Sequence, residues 1–290
     1  MDRYYADISK AFAEDEANYE AAVLDAANRI IEKKTVKMVF VCGASCAGKT
    51  PTTERLSHYL NEKGIKTELI SLDDFYRHPE DAIYNEDGTP DFESPESLDL
   101  HLLHGCFTAL SEGRSAWMPR FIFKDKKRSD TFTRMSLEDD EICIVEGLHS
   151  LNPEICGSYI DPAKTFKIYL DANTHKDDEP RLVRRIVRDY YKRSSTADDT
   201  LSMWDEVEDG SRKYIYPYKD TADVQINTYI NYELYVMRDD AIRMLEEVPM
   251  DSPNRKKAEE LIAELAPLPS LPKSKITPQS FMREFITQRT

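Results

Sequence analysis

Three absences limit what this sequence can encode. No apolar stretch approaches the roughly 18 residues needed to cross a bilayer, and the N-terminus lacks the charged-then-apolar form of a signal peptide. Positive charge is also scarce, because 54 Asp and Glu residues against 39 Lys and Arg residues give a formal net charge of −15. Nucleic acids and anionic membranes select basic surfaces. We therefore expect a cytoplasmic protein with neither nucleic acid nor membrane as its partner.

Several functional signatures are missing as well. The five cysteines include no C-x-x-C pair and mostly lie in apolar runs, so we expect reduced core thiols. The chain has no G-x-G-x-x-G and no G-x-S-x-G, which leaves dinucleotide-binding and hydrolase functions without local support. It has no Asn-Lys-x-Asp and no D-x-x-G, which disfavours a GTPase switch. His101, His104 and Cys106 lack a second ligand pair at zinc-site spacing.

A complete phosphate-binding loop, G-x-x-x-x-G-K-[ST], follows the apolar run at residues 36–41. Its glycines let the backbone curl until N–H groups point at phosphate oxygens, and the next helix adds the positive end of its dipole. Lys49 is expected to reach the β- and γ-phosphates of ATP, and the Thr50 hydroxyl to bind Mg²⁺. The predicted ATP-binding residues of this loop are Gly43, Ala44, Ser45, Cys46, Ala47, Gly48, Lys49 and Thr50.

Apolar runs of strand length alternate with segments of helical periodicity along the chain. This alternation predicts an α/β fold, a P-loop NTPase-type doubly wound parallel sheet with helices on both faces. After the first strand, strands are expected at residues 67–72, 142–145, 166–170 and 222–226. Helices are expected at residues 8–33, 53–63, 98–110, 181–193, 197–207, 229–246 and 254–265.

Carboxylates follow two of the predicted strands. Asp73 and Asp74 come after the second strand, and Glu146 ends the strand at 142–145. Phosphoryl transfer to an alcohol needs a carboxylate that accepts the hydroxyl proton and acids that hold Mg²⁺. We predict Asp73 as the base and a magnesium ligand, and Glu146 as a residue that binds a magnesium-bound water. A helix cap or solvated turn is the alternative for the Asp pair, and the phosphate loop upstream outweighs it.

One predicted helix is strongly basic in an otherwise acidic protein. Four of its arginines fall at i, i+3, i+4 and i+7 and share one face; these are Arg181, Arg184, Arg185 and Arg188. We expect this face to close over polyphosphate, with Arg184 and Arg188 acting in catalysis and Arg181 and Arg185 binding ATP. A solvated face paired with acids is the alternative for each single arginine.

The collinear motifs together resemble the uridine kinase and phosphoribulokinase family, in particular bacterial uridine kinase-like domains. The resemblance spans most of the chain. Besides the phosphate loop and the basic helix, it is carried by Leu72–Tyr76, Asp91–Glu93, Pro95–Asp99, Pro119–Phe123, Glu146–His149, Pro217 with Ala222-Asp223, and Arg283–Ile286.

That resemblance implies transfer of the ATP γ-phosphate to a nucleoside 5′-hydroxyl. It also implies a β-hairpin subdomain near residues 119–133, a lid around residues 175–200, and helical N- and C-terminal extensions. Three regions follow, an extension over 1–35, a P-loop kinase core over 36–230, and C-terminal helices with a packed tail over 231–290. By position, the implied substrate-binding residues are Asp73, Tyr76, Glu93, Phe121, Lys126 and Arg128.

Two positions depart from the family pattern. Phe121-Ile122-Phe123 and Lys126 stand where uridine kinases carry a Tyr-Asp-Phe run and then a histidine, and Glu93 replaces the usual Asp. Replacing groups that pair polar edges can redirect substrate choice. Uridine or a related nucleoside is the favoured acceptor, and phosphoribulokinase-like acceptors, pantothenate kinase-like acceptors and a non-catalytic nucleotide-binding module stay open. The extensions also make a homo-oligomer a possibility.

Overall fold

Five parallel strands form the central sheet of the protein, for which a computed structural model describes residues 1–84, 88, 91–122, 127–157, 159–172 and 180–286. The strands of the described residues are β1 (Met38–Gly43), β2 (Lys66–Ser71), β3 (Ala116–Met118), β4 (Phe121–Ile122), β5 (Lys127–Arg128), β6 (Thr133–Met135), β7 (Glu141–Gly147), β8 (Thr165–Asp171) and β9 (Val224–Asn227). The order across the sheet is β2-β7-β1-β8-β9. The predicted parallel sheet is confirmed.

Helices cover both faces of this sheet. Those of the described residues are α1 (Asp2–Ala6), α2 (Ile8–Glu32), α3 (Lys49–Glu62), α4 (Leu100–Ser111), α5 (Pro153–Cys156), α6 (Pro180–Arg193), α7 (Ala197–Tyr214), α8 (Glu233–Glu246) and α9 (Arg255–Leu265). None of the helices in the described ranges is long and apolar enough to span a membrane.

The central strand β1 explains why the core has two halves. All six of its residues are buried, as expected for a strand between two parallel neighbours. Met38, Phe40 and Cys42 point to the half that contains α4, whereas Val39 and Val41 point to the half that contains α2, α3 and α6. Because helices cover both faces of the sheet, we expect a ligand-binding site at the carboxyl edge of the strands.

The predicted hairpin region forms two small antiparallel ladders. Strand β3 pairs with β6, and inside that pair β4 pairs with β5, so the segment from residue 116 to 135 folds back on itself. The Asp74 carboxylate accepts a hydrogen bond from the Phe121 backbone N–H at 2.8 Å. This bond attaches the hairpin region to the turn that follows β2.

The N-terminal and C-terminal extensions contact each other beside α3. Phe12 of α2 stacks on Tyr232 with ring centroids 4.0 Å apart, and Tyr19 meets Phe281 at 4.9 Å. The helical extensions are therefore present, while the exact division into residues 1–35, 36–230 and 231–290 stays a prediction. The predicted lid begins at residues that lie outside the described ranges and continues as α6 and the start of α7.

Candidate active site

The phosphate loop connects β1 to α3 at the carboxyl edge of the sheet. Gly48 has a φ of +80°, in the left-handed region, and a Cβ at this position would overlap the Phe281 ring. A Cβ at Gly43 would lie 2.8 Å from the Leu170 carbonyl oxygen, so β8 also requires glycine there. The Lys49 ammonium donates to the Gly43 carbonyl oxygen at 2.9 Å. The loop therefore holds the Lys49 side chain against its own backbone at the N-terminus of α3.

Asp73 and Glu146 lie at the same edge of the sheet, as predicted from the strand ends. Glu146 is the sixth residue of β7 and pairs in register with Ser71 of β2. The Ser71 hydroxyl donates to the Glu146 carboxylate at 2.8 Å. Asp73 follows in a 3₁₀ turn, Leu72–Phe75, and lines the same cleft as Lys49. The neighbouring Asp74 points instead to the hairpin region.

Burial sets the protonation of these two acids. It raises the pKa of the Glu146 carboxyl to about 7, with Lys49 opposing the shift and Asp73 adding to it. Burial likewise raises the pKa of Asp73, although Lys49, Arg193 and Arg188 favour its ionised form. A carboxyl whose pKa approaches the operating pH can accept a proton during the reaction and release it afterwards.

These groups line one cleft of about 630 Å³. The phosphate loop contributes Ser45, Cys46, Gly48, Lys49 and Thr50. The acids are Asp73, Glu93, Glu146, Glu206 and Glu284, and the cations outside the loop are Arg185, Arg188 and Arg193. Tyr76, Phe92, Phe121, Leu148, Ser202, Met203 and Val207 complete the lining.

Two of the four predicted arginines line the cleft. Arg185 donates to the Ser45 hydroxyl at 2.8 Å, which ties α6 to the phosphate loop. Arg188 is buried, and its Nε donates to the Asp189 carboxylate at 2.8 Å, which fixes the direction of the guanidinium. Arg193, at the end of α6, joins them in the lining. Three guanidinium groups thus face the space above the loop.

Arg184 differs from the prediction. Its side chain is fully buried on the far side of α6, with Nη2 and Nε bonded to the Glu233 carboxylate at 2.6 and 3.0 Å. Its Nη1 donates to the Cys46 carbonyl oxygen at 3.0 Å. A side chain with no exposed surface does not touch a nucleotide, so the proposed catalytic contact is wrong for this residue. Arg184 positions the phosphate loop from behind.

Two further predicted arginines also lie away from the cleft lining. Arg181 donates to the Ser45 carbonyl oxygen at 3.3 Å and pairs with Glu208 at 2.5 Å, so it supports the loop backbone. Arg128 of β5 pairs with Asp99 at 3.0 Å, because the hairpin turns that side chain toward the start of α4. The substrate contact expected for Arg128 is therefore absent from this arrangement. Lys126 lies outside the described residues.

The remaining predicted substrate residues do meet in the cleft. Tyr76 makes edge contacts with Phe92 and Phe121, with ring centroids 5.3 and 5.6 Å apart. Burial raises the pKa of the Glu93 carboxyl to about 7, against the influence of Arg185. Glu93 approaches α7 at Gly210, where a Cβ would lie 2.8 Å from the Glu93 Cβ.

Sequence reasoning missed several residues of the lining. Ser202, Met203 and Glu206 come from one face of α7, and only the i, i+1, i+4 spacing on a helix next to the basic helix hints at them. Glu284 comes from the C-terminal tail, where Arg283–Ile286 carries part of the family resemblance but no residue was predicted to line the site. Arg193 was inside the predicted basic helix but outside the face that we singled out.

The oxygen donors of the cleft fit Mg²⁺ by their chemistry. Thr50 offers a hydroxyl, Asp73 and Glu146 offer carboxylates, and Mg²⁺ prefers oxygen ligands. Within the described ranges, no group of three or more His, Cys, Asp or Glu side chains is close enough to hold a metal ion. Such an arrangement suits Mg²⁺ that arrives with substrate phosphates and keeps several waters, rather than a resident ion in a protein cage.

Two solved structures share the fold of this chain. D-glycerate 3-kinase from Cryptococcus neoformans superposes with a TM-score of 0.50 at 16% identity, covering 69% of this chain and 88% of that one. The YGR205w protein superposes with a TM-score of 0.52 at 17% identity, over 69% of this chain and 89% of the other. At these identities the likeness concerns the fold alone.

Sequence comparison adds the family. Uridine kinase of Borrelia duttonii is 30% identical over 192 residues, which cover 66% of this chain and 86% of that protein. Uridine-cytidine kinase A of Dictyostelium discoideum is 28% identical over 199 residues, 66% of this chain but 36% of the longer relative. The family model described as phosphoribulokinase / uridine kinase matches residues 38–234, which include the loop, both edge acids and the basic helix. The chain belongs to the phosphoribulokinase / uridine kinase family.

Proposed function

We propose that this protein transfers the γ-phosphoryl group of ATP to the 5′-hydroxyl of uridine or a related nucleoside. The observation that carries the proposal is the meeting of Lys49, Asp73 and the α6 arginines in one cleft at the carboxyl edge of the sheet. Family membership and the named relatives support a phosphotransferase with a small-molecule acceptor.

The donor phosphates have a site built from loop N–H groups and cations. Phosphoryl transfer develops charge on the equatorial oxygens of the moving group, and catalysis consists largely of positioning and charge stabilisation. Lys49, Arg185 and Arg188 supply that positive charge, and Arg193 adds to it. Thr50, Asp73 and Glu146 are the residues that would hold Mg²⁺, which when bound neutralises phosphate charge.

Asp73 is the group that takes the proton from the acceptor hydroxyl. It is largely enclosed, and burial raises its pKa, which increases its affinity for a proton. Lys49 and Arg188 are two of the cations that favour the ionised form of Asp73. They are also expected to face the transferring phosphate. The hydroxyl therefore meets a base and an electrophile in the same enclosed space.

The chemistry of the lining favours a neutral acceptor. Outside the phosphate loop and α6, the described lining residues include the acids Glu93 and Glu206 and no lysine or arginine. An acceptor that carries phosphate or carboxylate would be repelled by these acids, whereas ribose hydroxyls can donate hydrogen bonds to them. Phe92 and Phe121 offer ring faces and edges on which a flat base can stack.

The test is acceptor-dependent ADP release from the full chain, measured across uridine, cytidine, purine nucleosides, pantothenate, ribulose 5-phosphate and glycerate. We expect turnover with neutral nucleosides and none with the anionic acceptors. Turnover confined to an anionic acceptor would overturn the nucleoside assignment while keeping the kinase. ATP binding without turnover of any acceptor would favour the nucleotide-binding module instead.

A further inference from the structure

The C-terminal segment, residues 276–286, reaches the phosphate loop although it lies outside the family-matched range of 38–234. The Phe281 ring lies directly on Gly48, in the space that any Cβ at that glycine would need. Phe281 and Phe285 also cover the Arg184 guanidinium, with its Cζ 5.0 and 4.9 Å from the two ring centroids. The segment therefore forms one wall of the loop.

This wall is a fixed part of the protein core. Phe281, Met282, Phe285 and Ile286 are at most 3% exposed. The Ser280 hydroxyl donates to the Glu16 carboxylate of α2 at 2.6 Å, and Arg283 donates through Nε to the Thr277 carbonyl oxygen at 2.9 Å. Contacts of this kind hold the segment in place in the manner of a buried core element.

Glu284 projects from this segment into the cleft. Together with Thr50 it lines both the 630 Å³ cleft and a neighbouring cavity of about 450 Å³, so it stands at the boundary of the two. Its Oε2 atom is buried and has no hydrogen-bond partner among the described residues. Burial is the main reason for the raised pKa of Glu146, and the negative charges of Asp73 and Glu284 add to it.

A buried carboxylate oxygen without a partner is unfavourable unless something in the functional state satisfies it. The groups that could satisfy it are the cations of the cleft and the Mg²⁺ that accompanies the donor phosphates. Glu284 Oε2 accepts no hydrogen bond from Arg188, whose Nε and Nη2 both lie 2.8 Å from the Asp189 carboxylate. Thr50, a predicted magnesium ligand, is the residue that shares both cavities with Glu284.

We propose that Glu284 is a positioning residue for nucleotide-bound Mg²⁺, with its carboxylate accepting a hydrogen bond from a water ligand of the ion. This inference rests on the proposed function. Mg²⁺ keeps several waters in such sites, and the groups that orient its ligands are worth 10- to 100-fold in affinity. A fixed negative charge here attracts a magnesium–nucleotide complex and repels the metal-free nucleotide, so Glu284 selects the metal-bound form of the donor.

The test is the affinity of the full chain for ADP, measured by calorimetry with Mg²⁺ and with a chelator. We expect Glu284→Gln to lower the Mg²⁺-dependent gain in ADP affinity about 10-fold while metal-free ADP binds as well as before or better. Glu54→Gln is the matched control, because it removes the same charge from the wall of the neighbouring cavity only. Glu284→Asp, which keeps the charge with a shorter reach, should lose part of the gain.

An unchanged Mg²⁺-dependent gain in a folded Glu284→Gln variant would overturn the inference. So would an equal loss of affinity with and without Mg²⁺, because Glu284 would then act on the phosphates through its neighbours rather than on the ion. If the unmodified chain binds ADP under neither condition, the proposed function itself fails and this inference fails with it. A melting curve for each variant shows that the fold is intact.

Discussion

The family-matched residues 38–234 and the segments on either side of them contribute to the site in different ways. The matched part supplies the groups that touch the reaction in the proposed mechanism, such as Lys49, Asp73 and Arg188. The flanking C-terminal segment supplies enclosure, because Phe281 covers the phosphate loop and, with Phe285, covers the Arg184 guanidinium.

The site of this chain therefore depends on residues outside the range that the family model matches. Arg184 and Arg188 are one helical turn apart on α6, yet one faces the tail and the other faces the cleft. The C-terminal segment decides this division, since its two phenylalanines surround Arg184. We expect chemical effects from changes to the groups that react in the cleft, and effects on folding from changes to the contacts that enclose the loop.

The largest effect is expected at Asp73. Asp73→Asn removes the base and should lower kcat about 10²- to 10⁴-fold, while the affinity for metal-free ADP stays near that of the unmodified protein. Asp74→Asn is the matched control, because its amide oxygen can still accept the bond from the Phe121 N–H and it does not line the cleft. Steady-state kinetics and calorimetry check both variants, and near-normal turnover in Asp73→Asn would remove Asp73 from the mechanism.

Removing Glu233 should weaken the fold strongly. Glu233→Gln leaves the fully buried Arg184 charge without its ionic partner, and breaking such a pair costs about 3–5 kcal/mol of unfolding free energy. Replacing both residues by apolar side chains should cost much less than the sum of the single changes. Urea unfolding of the two single variants and the double variant measures this. Additive losses would show that the pair does not act as a unit.

Phe281→Ala tests the wall of the phosphate loop. Truncating this buried ring should lower the unfolding free energy by about 3 kcal/mol. Because the ring lies on Gly48, we also expect weaker ADP binding in the folded variant. Phe132→Ala, which truncates a ring that is 39% exposed, is the control and should change both quantities little. A stable Phe281→Ala variant with normal ADP affinity would separate the tail from the site.

A smaller effect is expected in the pH dependence of stability. Because the pKa of Glu146 is about 7 in the folded protein and near 4.5 when unfolded, the folded state binds more protons between these pH values. The unfolding free energy of the ligand-free protein should therefore fall as pH rises from about 4.5 to 7. Glu146→Gln should reduce this fall by about 1 kcal/mol, allowing for solvent that enters the cleft. Parallel profiles for the two proteins would contradict the shift.

The sequence predicts the parts of this molecule that local patterns determine. The phosphate loop carries its own conformational requirement in Gly43 and Gly48. The proximity of Asp73 and Glu146 was predictable because the carboxyl ends of parallel strands share one edge of the sheet. These predictions needed only the order of elements and the direction of the strands.

The rest depends on partners that are distant along the chain. Helical spacing grouped Arg184 with Arg188, but whether a position faces a cleft or a core is decided by what packs on the helix, here α8 and the tail. Arg128 was carried over from the family, and its pairing with Asp99 follows from the fold of the hairpin region. Glu284 belongs to Arg283–Ile286, a stretch that carries part of the family resemblance, but its place in the cleft follows only from how the tail packs in the folded chain.

The most direct test of the account is the identity of the product formed from ATP, Mg²⁺ and uridine, determined by mass spectrometry together with the amount of ADP. The account predicts one nucleoside 5′-monophosphate for each ADP, and neither product with Asp73→Asn. ADP that appears with inorganic phosphate and no phosphorylated acceptor, from any compound of the panel, would contradict it.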